Sequence, residues 1–275
     1  MSTALAVRHG SFGRAALYKL NRSFLTHAHR EAHLTFYVGG APACITVSGE
    51  AVPLDPGTAL AINPWQPHNY EPGDCDDWTV ALVLYIKPQW FSFEDQSIRD
   101  NLQFGRPMLA MTPRLTTLSD RIVALLMDDV QEIDFDRHLY DLTCACREQS
   151  WGLLDHPSGP DQRRLYRDFR IRNSIRLMQE RIGDELAIDA IARDAGLSRP
   201  HFYKLFRQHV GITPNIYLNT LRMETAIDRL TRTGDPVTSI GLDLGFASQA
   251  SFTRFFTTNV GVPPSDYRRV ACRAH

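Results

Sequence analysis

The segment "IARDAGLSRPHFYKLFRQHVGITPNIY", residues 191–217, occurs a second time as "IGLDLGFASQASFTRFFTTNVGVPPSDY", residues 240–267. The two copies share glycines, phenylalanines, a proline and a tyrosine at matching places. These are Gly196, Phe202, Phe206, Gly211, Pro214 and Tyr217 in the first copy, and Gly245, Phe252, Phe256, Gly261, Pro264 and Tyr267 in the second. Self-similarity over such a length marks one structural unit that the chain uses twice.

Each copy has the pattern of a helix-turn-helix. A short helix would run into Gly196 or Gly245, because glycine adopts the left-handed turn at a helix end without steric cost. A new helix would then start after Ser198 or Ser248, a residue type that caps helix N-termini. The phenylalanines of this helix recur at helical spacing and predict a buried stripe. We therefore predict helix-turn-helix units over residues 186–211 and 237–261, within an all-α segment.

The face opposite this stripe carries cationic, aromatic, amide and hydroxyl side chains. They are Arg199, Tyr203, Lys204 and Arg207 in the first unit, and Gln249, Ser251, Thr253 and Arg254 in the second. Arginine and lysine suit guanine edges and phosphates, and glutamine suits adenine. A solvated helix face is the alternative, but two matched faces favour double-stranded DNA as a partner. An amphipathic helix from Pro214 to near Gly234 would hold the two reading helices about one DNA turn apart, roughly 34 Å.

The charge distribution favours the same interpretation. The net charge of −1 is the balance of −7 over residues 1–155 and +6 over residues 156–275. A basic half attached to an acidic half is typical of a nucleic-acid-binding module joined to another domain. No apolar run reaches the length of a membrane span, so we expect a cytoplasmic protein with no membrane partner.

Residues about 166–270 resemble the DNA-binding domain of the AraC/XylS family of bacterial transcription regulators, through "AGLSRPHFYKLFRQHVGITPNIYL" and "GFASQASFTRFFTTNVGVPPSDYRR". The resemblance implies recognition helices that begin at Arg199 and Gln249. Their groove-facing residues would be Pro200, Tyr203 and Lys204 in the first helix, and Gln249, Ser251, Thr253 and Arg254 in the second. Pro200 departs from the family pattern, which often has a base-contacting side chain there, and Thr257 replaces a frequent basic residue.

The N-terminal part reads differently. Residues about 17–90 alternate short β-rich runs with turn signals such as Pro56 and Gly57, which predicts a small barrel or sandwich. We assign residues 1–112 to a cupin-like β-barrel and residues 113–154, with apolar positions at helical spacing, to a helical hairpin. The hairpin's apolar surface serves either the intramolecular core or a homodimer interface. A linker at 155–165 would precede a DNA-binding domain at 166–275, giving an α+β chain.

The stretch "HAHREAH", residues 27–33, brings His27, His29 and His33 close together. Residues two apart on a strand share a face, and imidazoles at this spacing suit zinc, nickel, iron or manganese, with His68 completing the set. Together with "PLDPGTALAINPWQPHNY", the stretch resembles the two cupin motifs, although His33 stands near the place of a glutamate. The alternatives to a divalent metal ion are pocket residues that contact an organic effector, or hydrogen-bonded core histidines.

Aromatic residues near these histidines predict the walls of a small-molecule site or, equally, the barrel core. The candidate effector site comprises His27, His29, His33, Phe36, Trp65, His68, Tyr70 and Trp78. The leading hypothesis is a ligand-responsive transcription regulator, an activator in preference to a repressor, in which the effector alters contact with promoter DNA or RNA polymerase. The competing hypothesis is a metal-dependent cupin enzyme with a helical appendage. The duplicated motif is the more specific signal, so we expect a regulator and no catalytic residues.

Overall fold

The computed structural model describes residues 2–73, 77–94, 102–128, 132–152, 168–183 and 188–272. In these ranges the chain has the predicted α+β organisation, with a sheet domain and helical hairpin followed by a helical domain. The linker predicted at 155–165 lies outside the described residues. No helix in the described part of the chain is long and apolar enough to cross a membrane.

The strands form two antiparallel sheets. In chain order the strands are β1 (Thr3–Gly10), β2 (Gly13–Leu20), β3 (Phe24–His27), β4 (Ala32–Gly40), β5 (Ala43–Val47), β6 (Glu50–Leu54), β7 (Thr58–Ile62), β8 (His68–Pro72), β9 (Thr79–Ile86) and β10 (Met108–Ala110). The larger sheet has the order β1-β2-β9-β4-β7-β10 and the smaller β3-β8-β5-β6. Neither order closes on itself within the described residues, so the predicted barrel is an open sandwich. Strand periodicity predicts which face is buried, but it does not decide whether edge strands pair.

The larger sheet is buried on both of its faces. On β9, Val83 and Tyr85 belong to the core shared with the smaller sheet, whereas Leu82 and Leu84 belong to the core on the opposite face. The run "TVALVLYI" is therefore almost continuously buried. Burying a Leu or Val side chain contributes about 1.5–3 kcal/mol, which makes this central strand a main source of the sheet domain's stability.

The helical hairpin covers the outer face of the larger sheet. After α1 (Pro88–Glu94), the hairpin consists of α2 (Pro113–Met127) and α3 (Glu132–Trp151). The Thr112 side chain caps α2 by accepting a hydrogen bond from the Leu115 backbone N–H. Leu115, Ile122 and Leu125 are buried in the core that also contains Leu82 and Leu84. The apolar stripe of α2 is therefore used within the chain.

The turn predicted around Pro56 and Gly57 is present, but it connects different sheets. The Gly57 N–H donates to Asp55 Oδ1 at 2.8 Å, and the Thr58 N–H donates to the Asp55 carbonyl at 3.1 Å. The flanking strands β6 and β7 belong to the smaller and the larger sheet respectively. A tight turn fixes a chain reversal and not the partner of the strand that follows, so the two strands joined by this turn pair in different sheets.

The C-terminal domain contains both helix-turn-helix units. Its helices are α4 (Phe169–Glu180), α5 (Ile188–Asp194), α6 (Arg199–Val210), α7 (Pro214–Arg232), α8 (Val237–Asp243), α9 (Gln249–Val260) and α10 (Pro264–Ala271). The units are α5–α6 and α8–α9, and α7 is the long connecting helix that the sequence predicts. Gly196 and Gly245 adopt φ of +69° and +79°, so the left-handed turn between the helices is confirmed in each unit.

The two predicted N-caps differ in their hydrogen bonds. Ser248 forms a reciprocal capping box with Ser251, in which each side chain accepts from the other residue's backbone N–H. Ser198 occupies the N-cap position of α6, but its side chain makes no capping hydrogen bond. Pro200 at the second helical position has no N–H, which removes one of the two donors that a cap normally binds.

The second helix-turn-helix unit packs directly on the sandwich. The core that fills the space between the sheets continues into Phe252, Phe256 and Tyr267 of the helical domain. Gly261, at the end of α9, lies against the Phe24 ring of β3. Such a shared core holds the DNA-binding domain in a defined orientation. A structural change within the sandwich can therefore shift the helices of that domain.

Candidate functional site

The exposed faces of α6 and α9 carry the residues predicted to read DNA. Arg199, Pro200, Lys204, Arg207, Gln249 and Arg254 are exposed, whereas Tyr203, Ser251 and Thr253 are half-buried. On the opposite face, the phenylalanines shared by the two copies are fully buried, in agreement with the predicted core stripe. Each second helix thus combines a packed apolar side with a polar side that is open to solvent.

The cations on α6 are only weakly engaged within the chain. Arg199 Nη1 lies 3.2 Å from Asp189 Oδ2, and both side chains are about half exposed. Exposed ion pairs contribute about 0–1 kcal/mol, so a DNA phosphate can replace Asp189 at little cost. The guanidinium of Arg199 also lies 5.6 Å from the centre of the Tyr203 ring, which orders these two side chains relative to each other.

Some polar residues at the start of α9 stabilise the helix itself, and others are free to contact DNA. The Ser251 hydroxyl donates to the Ser248 carbonyl at 2.7 Å and accepts from the Ser248 N–H at 3.1 Å, so it already serves the helix cap. The Gln249 amide oxygen accepts from the Thr238 hydroxyl at 2.6 Å, which leaves its NH₂ group available. Arg254 is exposed one turn further on. Gln249 and Arg254 are therefore better placed than Ser251 to donate to base edges.

A cluster of imidazoles lies between the two sheets. One ring nitrogen from each of His27, His29 and His68 lies within 4.8 Å of the others. His33 approaches from the larger sheet, with its Nδ1 3.3 Å from His68 Nε2. The structure thus brings together all four histidines that the sequence singled out, although His33 stands at one side of a three-histidine group.

Backbone carbonyls orient two of these rings. His27 Nδ1 donates to the Leu25 carbonyl at 2.7 Å, and His68 Nδ1 donates to the Gln66 carbonyl at 2.9 Å. A carbonyl can only accept, so Nδ1 carries the hydrogen in both residues and Nε2 presents a lone pair. The Tyr85 ring stacks on His33 at a centroid distance of 4.7 Å.

The histidines are electrically neutral around neutral pH. Burial lowers the pKa of His68 to about 3, with His27 adding to the effect. Burial likewise lowers the pKa of His27, and lowers those of His29 and His33 well below the usual value, the neighbouring histidines adding to the shift for His29 and His33. Neutral imidazoles are able to bind a metal ion or to hydrogen-bond an organic ligand.

The aromatic residues predicted as pocket walls lie in four different environments. Phe36 is fully buried on the helix-covered face of β4, opposite His33, so it does not join the histidine site. Trp78 is half-buried near the Lys19 ammonium. Tyr70 packs on Phe24 within the sandwich. Trp65 stacks on Tyr217 of α7 at 5.0 Å and therefore contacts the DNA-binding domain.

A cavity of about 570 Å³ lies between the sandwich and α7. From the sandwich it is lined by residues that include His9, Arg14, His29, Arg30 and Glu31, and from α7 by Thr220, Met223, Glu224, Ile227 and Asp228. Its volume is within the range of small-molecule sites. His29 belongs both to this cavity and to the histidine cluster, so the two features are contiguous.

Arg14 is an unusual group at this cavity. Its side chain is only 7% exposed, yet it forms no ion pair within the described part of the chain. The guanidinium lies 3.7 Å from the centre of the Tyr85 ring, and Nη1 donates to the Tyr267 hydroxyl at 3.3 Å. A buried charge with no carboxylate within ion-pair distance is costly, which makes this guanidinium an attractor for an anion.

Glu224 lies across the cavity on α7. Burial raises the pKa of this carboxyl to about 8, although Arg30 Nε lies 3.1 Å from its Oε2 and opposes the shift. The cavity wall therefore carries less negative charge near neutral pH than its composition suggests.

The sequence reasoning missed Arg14, Glu224 and the roles of two tyrosines. Tyr217 and Tyr267 occupy the same place in the two repeats, and each one docks on the sandwich, against Trp65 and Arg14 respectively. Thr220 reinforces this contact by donating to the Ala28 carbonyl at 2.9 Å. The sequence did contain a sign of Arg14's position. Arg14 and Tyr18 are four residues apart on one strand and so point to the same face, and that face is buried.

The fold and these sites together define a class of protein: a ligand-binding sheet domain joined to a double helix-turn-helix domain. Residues 10–143 match the model of the AraC-like ligand binding domain, and residues 191–270 match a helix-turn-helix domain model. The HTH-type transcriptional activator RhaS of Escherichia fergusonii is 31% identical over 253 residues, covering 88% of this chain and 86% of RhaS. The chain belongs to the AraC family of transcription regulators.

Two further comparisons agree with this assignment. An uncharacterised HTH-type transcriptional regulator of Haemophilus influenzae is 28% identical over 102 residues, covering 37% of this chain and about a third (34%) of that protein's length. The crystal structure of an apo variant of ToxT from Vibrio cholerae has a TM-score of 0.57 at 16% identity, covering 96% of this chain and 98% of that one, and shares the fold. RhaS and the Haemophilus influenzae protein are both named as transcription regulators, so the alternative of a cupin enzyme is not supported.

Proposed function

We propose that this regulator senses a small organic anion in the cavity between the sandwich and α7, and that binding there controls how α6 and α9 meet DNA. The observation that carries the proposal is a cavity with walls from both domains and a buried, unpaired Arg14. A ligand that contacts both walls changes the free energy of domain docking, which is the coupling that an effector response requires.

The chemistry of the cavity favours a carboxylate or a phosphate over a neutral ligand. Arg14 offers a guanidinium whose present neighbours are the Tyr85 ring and the Tyr267 hydroxyl. A bidentate anion would supply the missing counter-charge. Arg30 and His29 add donors on the same side. A ToxT structure is described as bound to an unsaturated fatty acid, which supports carboxylates as the first class to test.

The path from cavity to DNA runs through α7 and α10. Arg14 contacts Tyr267 of α10, and Thr220 of α7 bonds the Ala28 carbonyl next to His29. An anion that draws Arg14 away from Tyr267 would loosen α10, which packs beside α9 in the second unit. We infer that the effector alters the relative placement of the two recognition helices.

On DNA, α6 and α9 would read two adjacent major-groove segments through Tyr203, Lys204, Gln249 and Arg254, with Arg199 and Arg207 on phosphates. The name of RhaS supports an activator, which implies contact with RNA polymerase. A homodimer would have to use surface outside the buried stripe of α2, since that stripe packs on the sheet.

The experiment is a thermal-shift screen of full-length protein with carboxylates, sugar phosphates and matched neutral sugars. At 100 times Kd, a ligand of the folded state stabilises by about 2.7 kcal/mol. Anions should raise the Tm of wild type but not of Arg14→Met, and Arg121→Met, on the exposed face of α2, serves as the matched control. Stabilisation by neutral sugars alone, or an unchanged response in Arg14→Met, would refute the anion site.

A further inference from the structure

We propose that His27, His29 and His68 form a divalent transition-metal site, best suited to zinc, with His33 as a positioning residue outside the ligand set. The proposal goes beyond the regulatory function, which needs no metal. The three ring nitrogens lie within 4.8 Å of one another. Zinc–nitrogen bonds of about 2.0–2.1 Å place tetrahedral ligands about 3.4 Å apart, so each nitrogen would need to move by little more than about 1 Å to bind one ion.

Two of the three imidazoles are already oriented for an ion. The Leu25 and Gln66 carbonyls accept from Nδ1 of His27 and His68, which holds the hydrogen on Nδ1 and directs the Nε2 lone pairs into the sandwich. Metal-bound histidines are held by this kind of outer hydrogen bond to a backbone carbonyl. Histidines that only hydrogen-bonded to one another in the core would not all need the hydrogen on Nδ1.

The third imidazole has an unmet requirement. His29 Nε2 is buried and has no hydrogen-bond partner within the described residues. A buried polar atom without a partner destabilises the folded state, and a bond to an ion would remove that cost. His29 also lines the cavity beside α7, which gives an ion a route of entry and an open coordination position.

His33 completes the arrangement from outside. Its Nδ1 lies 3.3 Å from His68 Nε2, and its Nε2 lies 3.0 Å from the Thr35 hydroxyl. While His68 Nε2 is free, it accepts from His33 Nδ1–H. Once an ion takes that lone pair, the same N–H is available to a fourth ligand such as water. His33 would therefore tune the site without bonding to the ion.

The donor set selects the class of ion. Three neutral nitrogens suit zinc, nickel or cobalt, whereas magnesium and calcium require oxygen ligands. Neither a carboxylate nor a thiolate belongs to the group that the described residues form. The site would therefore carry the full positive charge of its ion into the sandwich, next to the cavity proposed for an anion.

The test uses tag-free, full-length protein stripped with chelator and dialysed against zinc sulfate. Mass spectrometry of the eluted metal should give one zinc per chain, and a cobalt-loaded sample should show visible absorption of a low-coordinate site. His27→Gln and His68→Gln each remove a ligand and should lower zinc affinity more than a hundredfold, since loss of an outer hydrogen-bond partner alone typically costs about tenfold to a hundredfold. His138→Gln, on α3 with its ring bonded to the Asp134 carbonyl, is the matched control and should bind as wild type does.

His33→Gln separates positioning from ligation, because it should retain one ion per chain while shifting the cobalt spectrum. Loss of the ion in this variant would make His33 a ligand and overturn that part of the proposal. If circular dichroism shows that the glutamine variants are unfolded, the Tm of metal-stripped wild type tests the site instead. That Tm should rise reversibly with zinc and stay constant with magnesium. No rise, or equal zinc binding in folded His68→Gln, would overturn the site. DNA affinity measured in parallel keeps failure of the metal site distinct from failure of the regulatory function.

Discussion

Acidification should destabilise the metal-free protein through its histidine cluster. In the folded chain, burial lowers the pKa of His68 to about 3, while the unfolded chain keeps the usual value of 6.5. The stability that depends on a neutral His68 is therefore complete above pH 6.5 and is lost progressively as the pH falls from 6.5 to about 3. Burial lowers the pKa values of His27, His29 and His33 too, so these residues act in the same direction.

The magnitude follows from the shift of His68. At about pH 5 the His68 side chain is protonated in the unfolded chain and neutral in the folded chain. This pH lies roughly 1.5 units below the pKa of His68 in the unfolded chain. One unit corresponds to about 1.36 kcal/mol, so His68 alone removes about 2 kcal/mol. Domains are stable by about 5–15 kcal/mol in total, which makes this loss easy to measure.

The assay is urea unfolding at about pH 7 and about pH 5 in the presence of chelator. His68→Gln should lose about 2 kcal/mol less than wild type between the two conditions, because Glu224, whose pKa burial raises to about 8, gains stability over the same interval in both proteins and cancels in the comparison. His138→Gln should behave as wild type does. A His68→Gln variant that keeps the full pH dependence of wild type would refute the assignment of neutral buried imidazoles.

Three further substitutions test the interfaces. Arg254→Ala should weaken binding to a promoter fragment by about 1–3 kcal/mol in fluorescence anisotropy at fixed salt, and unchanged affinity would remove Arg254 from base recognition. Glu224→Gln should leave Tm unchanged or raise it, since glutamine reproduces the neutral carboxyl; a loss above about 2 kcal/mol would mean that the folded chain needs the charge. Gly261→Ala should destabilise by about 1–3 kcal/mol, because φ is +86° and a Cβ would clash with the Phe24 ring. Gly234→Ala, whose Cβ would meet nothing within 4 Å, should have little effect.

The sequence determined the helical half of the protein because its signals are local. A glycine that must adopt positive φ, a serine at an N-cap and phenylalanines at helical spacing each act within a few residues, so Gly196, Ser248 and Phe252 could be assigned without tertiary information. Repetition of the pattern then identified the polar face that contains Arg254. The histidine cluster was also predictable, since histidine is a rare residue type and His27, His29 and His33 stand within seven residues, although His29 lies in the loop between β3 and β4 and not on a strand.

Tertiary structure decided which groups face each other across long separations. Strand alternation puts His33 and Phe36 on opposite faces of β4, but only the packing of the hairpin on one face and of the smaller sheet on the other decides what each residue contacts. The cavity beside α7 depends on how the second helix-turn-helix unit docks, as does the contact of Arg14 with Tyr267, 253 residues away. Side-chain type and spacing specify what a residue is able to bind, whereas burial of surface between distant segments determines what it meets.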